Sequence, residues 1–203
     1  MENKISDSSA EKHVEKLVAQ LLQEADPKGD RIEFLGRQFD LGLAWVQFDE
    51  GCGGLGVSPK LQSKVSLSLS RIDAPSCWPR NPIGYGMCGP TVFTHGSEDQ
   101  KRRYLRPLFT TEEIWCQLFS EPSAGSDVAG LTSRAIKDGD EWIVNGQKVW
   151  TTLAHVARWG CLVTRTDPEA PKHKGLSYFV VDMSDPGVEV RPLRQMTGDA
   201  EFN

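Results

Sequence analysis

The sequence predicts an α+β protein: an N-terminal all-α helical bundle over residues 1–113, followed by an antiparallel β-barrel or sandwich over residues 114–203. Three observations predict it. Apolar residues recur at helical spacing through the first half. At about residue 114 the period changes from 3.6 to 2. Short apolar runs then alternate with turn residues, as in barrels and sandwiches. A chain of 203 residues, 38% of them apolar, can bury one large core or two modest ones.

Ser8 and Glu11 form a capping-box pattern that opens a helix with Val14, Leu17, Val18, Leu21 and Leu22 on one stripe. Ile32, Leu35 and Phe39 repeat the spacing, and Gly42 is placed to end that helix. Ser58-Pro59 supplies an N-cap and a first-turn proline, for a helix that buries Leu61, Val65, Leu69 and Ile72. Ser97 and Gln100 form a second capping box, and Pro107 is expected to stop the helix they open. None of these helices buries its apolar face alone, so they are expected to form a bundle.

In the second half, Trp115 to Phe119 reads as a strand. Ser133 to Lys137 and Glu141 to Val144 read as a hairpin around Asp138-Gly139-Asp140. Asn145-Gly146 is a strong hairpin-turn signal, because both turn positions need φ > 0. It leads to an expected third strand over Gln147 to Thr152. Further strands are expected at 161–166, 176–183 and 188–193, the last after a Pro186-Gly187 turn.

Composition removes several function classes. The net charge of −5 argues against nucleic acid, which needs a concentrated basic surface. Lys101, Arg102, Arg103 and Arg106 read as the wet face of a helix. Cys52, Cys77, Cys88, Cys116 and Cys161 contain no C-x-x-C pair, and their odd number suits reduced thiols. The histidines are scattered and form no ligand pattern, so no metal site is expected. The segment MENKISDSSAEKHVEK lacks the features of a targeting sequence, and no apolar run reaches membrane-spanning length. A cytoplasmic protein with no membrane partner is the expectation.

Gly51-Cys52-Gly53-Gly54-Leu55-Gly56 satisfies the dinucleotide fingerprint G-x-G-x-x-G, with Asp73 near the spacing of a ribose-binding acid. The helix signal at Ser58-Pro59, however, follows every glycine, whereas a phosphate-binding loop opens its helix within the motif. Asp49 and Glu50 would repel a diphosphate, and no βαβ alternation follows. A structural glycine turn is the better reading.

Residues 115–152 carry the chemistry. A strand runs into Ser120-Glu121-Pro122 and then a small-residue loop, Ser123-Ala124-Gly125-Ser126-Asp127. Such a loop is either a plain polar turn or a place where backbone N–H groups and hydroxyls approach a ligand. By composition alone, Trp150 reads as a core residue and Thr152 as an ordinary strand end.

The string from Ser120 to Asp127 resembles the [ST]-E-P-x-A-G-S-D signature of acyl-CoA dehydrogenases, and Asn145 to Thr152 resembles that family's N-G-x-K-x-W-[IT]-[ST]. Asp49 to Gly56, His95 to Lys101, Arg165 to Pro168 and Gly175 to Phe179 extend the likeness across nearly the whole chain. The resemblance implies a flavoprotein of fatty-acyl oxidation, with FAD as cofactor and hydride acceptor. It would convert an acyl-CoA to a trans-2-enoyl-CoA. Electron-transfer flavoprotein is the implied electron acceptor, and homo- or hetero-oligomers the implied assembly.

Carried onto matching positions, the resemblance places the Ser120 hydroxyl near the flavin N5, with Gln117 and Phe119 flanking it against the isoalloxazine. Gly125 and Ser126 would meet the flavin diphosphate, Ser126 also lying toward the CoA phosphates of the substrate. Trp150 would cover one edge of the flavin ring, and Thr152 would hydrogen-bond it. Family members continue into a second helical bundle that carries the catalytic glutamate, and no glutamate here matches that base. Glu121 reads as structural. No catalytic residue is therefore assigned, and the chain alone is expected to be inactive. The alternative is a non-catalytic FAD-binding or assembly subunit that needs a partner chain. Related flavoproteins that oxidise nitroalkanes or act as oxygenases fit less well, because Trp115 to Gln117 and Arg165 to Pro168 look more like bacterial acyl-CoA dehydrogenases.

Overall fold

Helices fill the first half of the chain and strands the second in this computed structural model, which describes residues 7–203. Two units result, Met1–Glu113 and Ile114–Asn203.

Helix α1 (Asp7–Glu24) buries Ala10, Val14, Val18 and Leu21, with Leu17 half-buried. Leu22 lies one residue past that line and is exposed. Ser8 already stands inside the helix, so it is not the N-cap, and Glu11 instead pairs with Lys64. Helix α2 (Arg31–Asp40) is capped by Asp30, whose carboxylate accepts the Glu33 N–H at 2.8 Å. Phe34, Leu35 and Phe39 are its buried apolar residues, while Ile32, which the predicted stripe included, faces solvent, and Phe34 takes its place in the core. Gly42 ends the segment at φ +72°, and a Cβ there would stand 2.5 Å from the Gly54 carbonyl oxygen.

Pro59–Leu61 forms a 3₁₀ turn into α3 (Gln62–Ser70), although the Ser58 side chain makes no capping bond. Leu61, Val65 and Leu69 join α1, Phe34 and Val46 in one cluster, whereas Ile72 lies beyond the helix and is exposed. A π-helical turn, Gly84–Cys88, runs into α4 (Gly89–His95). Its glycines and Pro90 hide that helix from a periodicity reading.

Helix α5 (Glu98–Thr110) opens with the expected capping box: Ser97 Oγ accepts the Gln100 N–H at 3.3 Å, and Gln100 Oε1 accepts the Ser97 N–H at 2.8 Å. Pro107 does not stop it. Proline removes one donor near the helix end; the Pro107 carbonyl still accepts the Glu113 N–H at 3.1 Å, and the helix closes at Thr111 with φ +64°. Arg106 donates to both Asp40 carboxylate oxygens at 2.9 and 3.1 Å, tying α5 to α2.

The glycine loop folds on its own backbone. The Ala44 and Trp45 N–H groups both donate to the Gly53 carbonyl, and a Cβ on Gly54 would stand 2.1 Å from the Phe48 oxygen. The 3₁₀ turn starts after the last of these glycines, and Asp73 is engaged by Lys28 at 3.0 Å.

The second unit holds β1 (Trp115–Leu118), β2 (Arg134–Asp138), β3 (Glu141–Asn145), β4 (Trp159–Arg165) and β5 (Leu176–Asp182). Strand β4 is the centre. It pairs antiparallel with β5 along its length, from Trp159↔Asp182 to Arg165↔Leu176. Its other edge pairs in parallel with β1 at Trp159–Leu162 and with β2 at Arg165. These parallel pairs make the sheet mixed, which corrects the expected antiparallel barrel or sandwich. Strands β2 and β3 form the expected hairpin, with Gly139 in its turn at φ +60°.

Two other strand expectations fail. Asn145-Gly146 makes no positive-φ turn, and residues 147–152 form no strand. Gly146 is required by contact instead: a Cβ would stand 2.2 Å from the Ser133 Cβ. Residues 188–193 are irregular, with only an isolated bridge between Leu193 and Phe202. Val188 and Val190 nevertheless pack against Cys116, Ala154 and Met183, which explains their apolar alternation. No helix among the described residues is long and apolar enough to cross a membrane.

Candidate functional site

Strand β1 sorts its side chains by alternation. Cys116 and Leu118 join Ala154 and Met183 in an apolar cluster, so Gln117 and Phe119 point from the opposite face. Both are half-buried, as is Ser120 at the strand's end. The chain then tightens: Glu121 and Ala124 exchange backbone hydrogen bonds at 2.9 and 3.0 Å. This pair projects Gly125 and Ser126 into solvent, and a Cβ on Gly125 would meet nothing within 4 Å. Asp127, next in line, pairs with Lys172, and Arg165 donates to the Ala129 carbonyl at 2.8 Å.

Residues 148–152 come to lie beside this turn without forming a strand. The Val149 N–H donates to the Ser120 carbonyl at 2.9 Å. Trp150 follows at φ +62°, a left-handed conformation rare for a bulky residue, and the residue is 65% exposed. Phe202 makes an edge contact with it at 6.1 Å. Thr151 exchanges backbone hydrogen bonds with Asn203, both at 3.0 Å, and Thr152 bridges to Phe202. Trp150 is thus no core residue. It is largely exposed, one residue past the Val149–Ser120 hydrogen bond and one before the Thr151–Asn203 pair.

Beneath lies a charged pair that sequence reasoning did not assign to the site. The Lys148 ammonium donates to the Phe119 carbonyl at 3.0 Å and to Glu121 Oε1 at 2.9 Å. The side chains are 8% and 2% exposed. Glu121 also accepts the Thr132 N–H at 2.7 Å, the Thr132 hydroxyl at 2.8 Å and the Ser133 N–H at 3.0 Å. Burial alone would raise this carboxyl, but hydrogen bonds from Ser133, Thr132 and Lys148 outweigh it and hold it at about 2. A carboxylate so stabilised is a weak base with its oxygens already engaged. The only sequence signal for the pair was its place inside the two signatures.

The arrangement offers a face for a flat ring and an open turn beside it. An exposed indole offers a face or edge to an aromatic ring. The open turn at Gly125-Ser126 leaves room for close backbone approach by a ligand. Half-buried Gln117, Phe119, Ser120 and Thr152 flank the two segments.

Comparison with known proteins agrees with the resemblance. The family profile "Acyl-CoA dehydrogenase, N-terminal domain" matches residues 2–112, and "Acyl-CoA dehydrogenase, middle domain" matches residues 116–202. Acyl-CoA dehydrogenase FadE34 of Mycobacterium tuberculosis is 47% identical over 152 residues, covering 74% of this chain and 21% of that protein. Acyl-CoA dehydrogenase IpdE1 of the same organism is 43% identical over 162 residues, covering 80% and 42%. Among solved structures, the Tcur3481-Tcur3483 steroid ACAD superposes with TM-score 0.67 at 28% identity, covering 100% of this chain and 54% of that one. The ChsE4-ChsE5 complex from Mycobacterium tuberculosis gives TM-score 0.67 at 26% identity, covering 100% and 53%. The chain therefore spans about half the length of these solved relatives, and less of the curated ones.

Proposed function

The chain belongs to the acyl-CoA dehydrogenase family, FAD-dependent oxidoreductases, and on that premise we propose that it supplies the flavin-facing half of an acyl-CoA dehydrogenase site. The observation that carries this is Trp150: exposed, left-handed in φ and tied beside Ser120 through Val149.

The residues present fit FAD. Gln117, Phe119 and the Ser120 hydroxyl would face the isoalloxazine, with Trp150 covering one edge and Thr152 hydrogen-bonded to it. Gly125 and Ser126 would meet the diphosphate, and Ser126 would also lie toward the CoA phosphates. When bound, FAD supplies the acceptor for the hydride leaving the β-carbon of the acyl-CoA. An ordered site of this kind contributes orientation and exclusion of water. Removal of the α-proton needs a base, and Glu121, held at about 2 and fully engaged, does not serve. That base comes from outside these residues, and electron-transfer flavoprotein is the acceptor of the electrons.

Titrating FAD into the purified chain, with flavin fluorescence as readout, tests the proposal. Quenching that weakens about tenfold in Trp150→Ala supports it. Absence of quenching at saturating FAD overturns it. Acyl-CoA-dependent dye reduction by this chain alone would overturn the placement of the base.

A second reading is favoured by the ChsE4-ChsE5 complex, a solved relative composed of two named chains. On it, this chain is an FAD-binding subunit completed by a partner. The steroid ACAD relative suggests the substrate comparison: a steroid acyl-CoA against a straight-chain acyl-CoA, assayed with and without the partner.

A further inference from the structure

Trp150 is only partly packed. The residue is 65% exposed, its aromatic neighbour Phe202 meets it in a T-shaped contact at 6.1 Å, and its φ of +62° is unfavourable for a side chain of this size. The restraint must come from the backbone on either side. After it, Thr151 is paired with Asn203. Before it, the restraint passes through a buried charge.

Lys148 reaches back across the turn and donates to the Phe119 carbonyl and to Glu121 Oε1. The next residue, Val149, donates to the Ser120 carbonyl. Residues 148–149 are thereby fixed to 119–121 at three consecutive positions, and Trp150 is the first residue beyond the last of these bonds. The anchor is itself rigid, because Glu121 is held from its other side by Thr132 and Ser133. A surface lysine could not do this; a buried ammonium whose alternative is an unpaired charge stays in place.

We propose that Lys148 is a positioning residue for the flavin site, a tether that sets Trp150 against the Phe119-Ser120 edge without itself touching the cofactor. The inference rests on the flavin reading for its consequence, while the tether can be observed in the chain without any ligand.

The experiment labels the tryptophan indoles with ¹⁵N and assigns the Trp150 signal by its loss in Trp150→Phe. Lys148→Met is expected to move that signal and to speed hydrogen exchange at the Val149 amide. Lys148→Arg, which keeps a buried cation, is expected to restore both in part. In FAD titrations Lys148→Met should weaken binding about tenfold. Adding Lys148→Met to Trp150→Phe should weaken it less than twofold further, because the effect runs through the indole. A folded Lys148→Met chain with an unmoved Trp150 signal overturns the tether, as does an additive loss of FAD affinity. If Lys148→Met does not fold, the Glu121→Gln/Lys148→Met pair removes both charges, and the same signal decides in the same direction. A wild-type chain that ignores FAD while Lys148→Met still moves Trp150 overturns the flavin reading and leaves the tether standing.

Discussion

Lys148 Nζ stands 2.9 Å from Glu121 Oε1, with both side chains almost fully buried. The pair joins the two signature segments of the sequence from beneath, and both segments reach the surface above it. A buried pair of this kind has little net worth against an apolar replacement, yet removing one partner strands the other charge. Glu121→Ala is therefore expected to cost about 3–5 kcal/mol of unfolding free energy. The double substitution Glu121→Leu/Lys148→Met is expected to cost clearly less. Urea unfolding of both variants, followed by tryptophan fluorescence, checks the difference.

The same carboxyl predicts a pH dependence. Glu121 falls from an ordinary 4.5 to about 2 in the folded chain. A depressed folded value means stability that is complete above the unfolded value and lost as pH falls through the folded one. Stability should be level above about pH 5 and decline from there toward pH 2, by roughly 3 kcal/mol from this group. Glu121→Gln should remove that part of the acid limb. Identical acid limbs in wild type and variant would show that Glu121 does not carry it.

Trp150 sets stability against binding. Substitution by glycine relieves a left-handed φ, a strain of about 1–2 kcal/mol, and gives up one edge contact with Phe202. Trp150→Gly should leave thermal stability unchanged or slightly raised while FAD affinity falls about tenfold. A large loss of stability would mean that the indole is part of the core after all.

Gly146 is a contact glycine, not a turn glycine. A Cβ there meets the Ser133 Cβ at 2.2 Å and Cα at 2.9 Å, and neither neighbour can swing away. Gly146→Ala should destabilise the second unit by about 1–3 kcal/mol, an overpacking cost. Ser133→Gly in the same chain should recover part of it, as read by thermal melting.

At the start of α5, Ser97→Ala removes the hydroxyl that accepts the Gln100 N–H. The expected cost is about 1 kcal/mol, with Ser97→Asp close to wild type. Loss is read from the melting of the first unit.

The order of elements was legible because local physics writes it. Val14, Val18 and Leu21 follow one helical line, the Ser97–Gln100 box caps what its pattern says it caps, and Gly139 turns the hairpin its neighbours announce. Signals also misled when a residue type had more than one use. Asn145-Gly146 looks like a turn, but its glycine is demanded by Ser133, a residue thirteen positions earlier in the chain. Pro107 looks like a stop, but a helix end can lose one donor. The mixed sheet was illegible, since the parallel pairing of β4 with β1 and β2 depends on distant segments meeting.

Sequence by itself determined the helical first half, the β-rich second half and, through two spaced signatures, the family. Tertiary structure decided what the signature residues do. Lys148 and Glu121 are twenty-seven positions apart, and no periodicity couples them. Only when the chain folds does burial force the two charges to satisfy each other, and that pairing leaves Trp150 exposed beside Ser120.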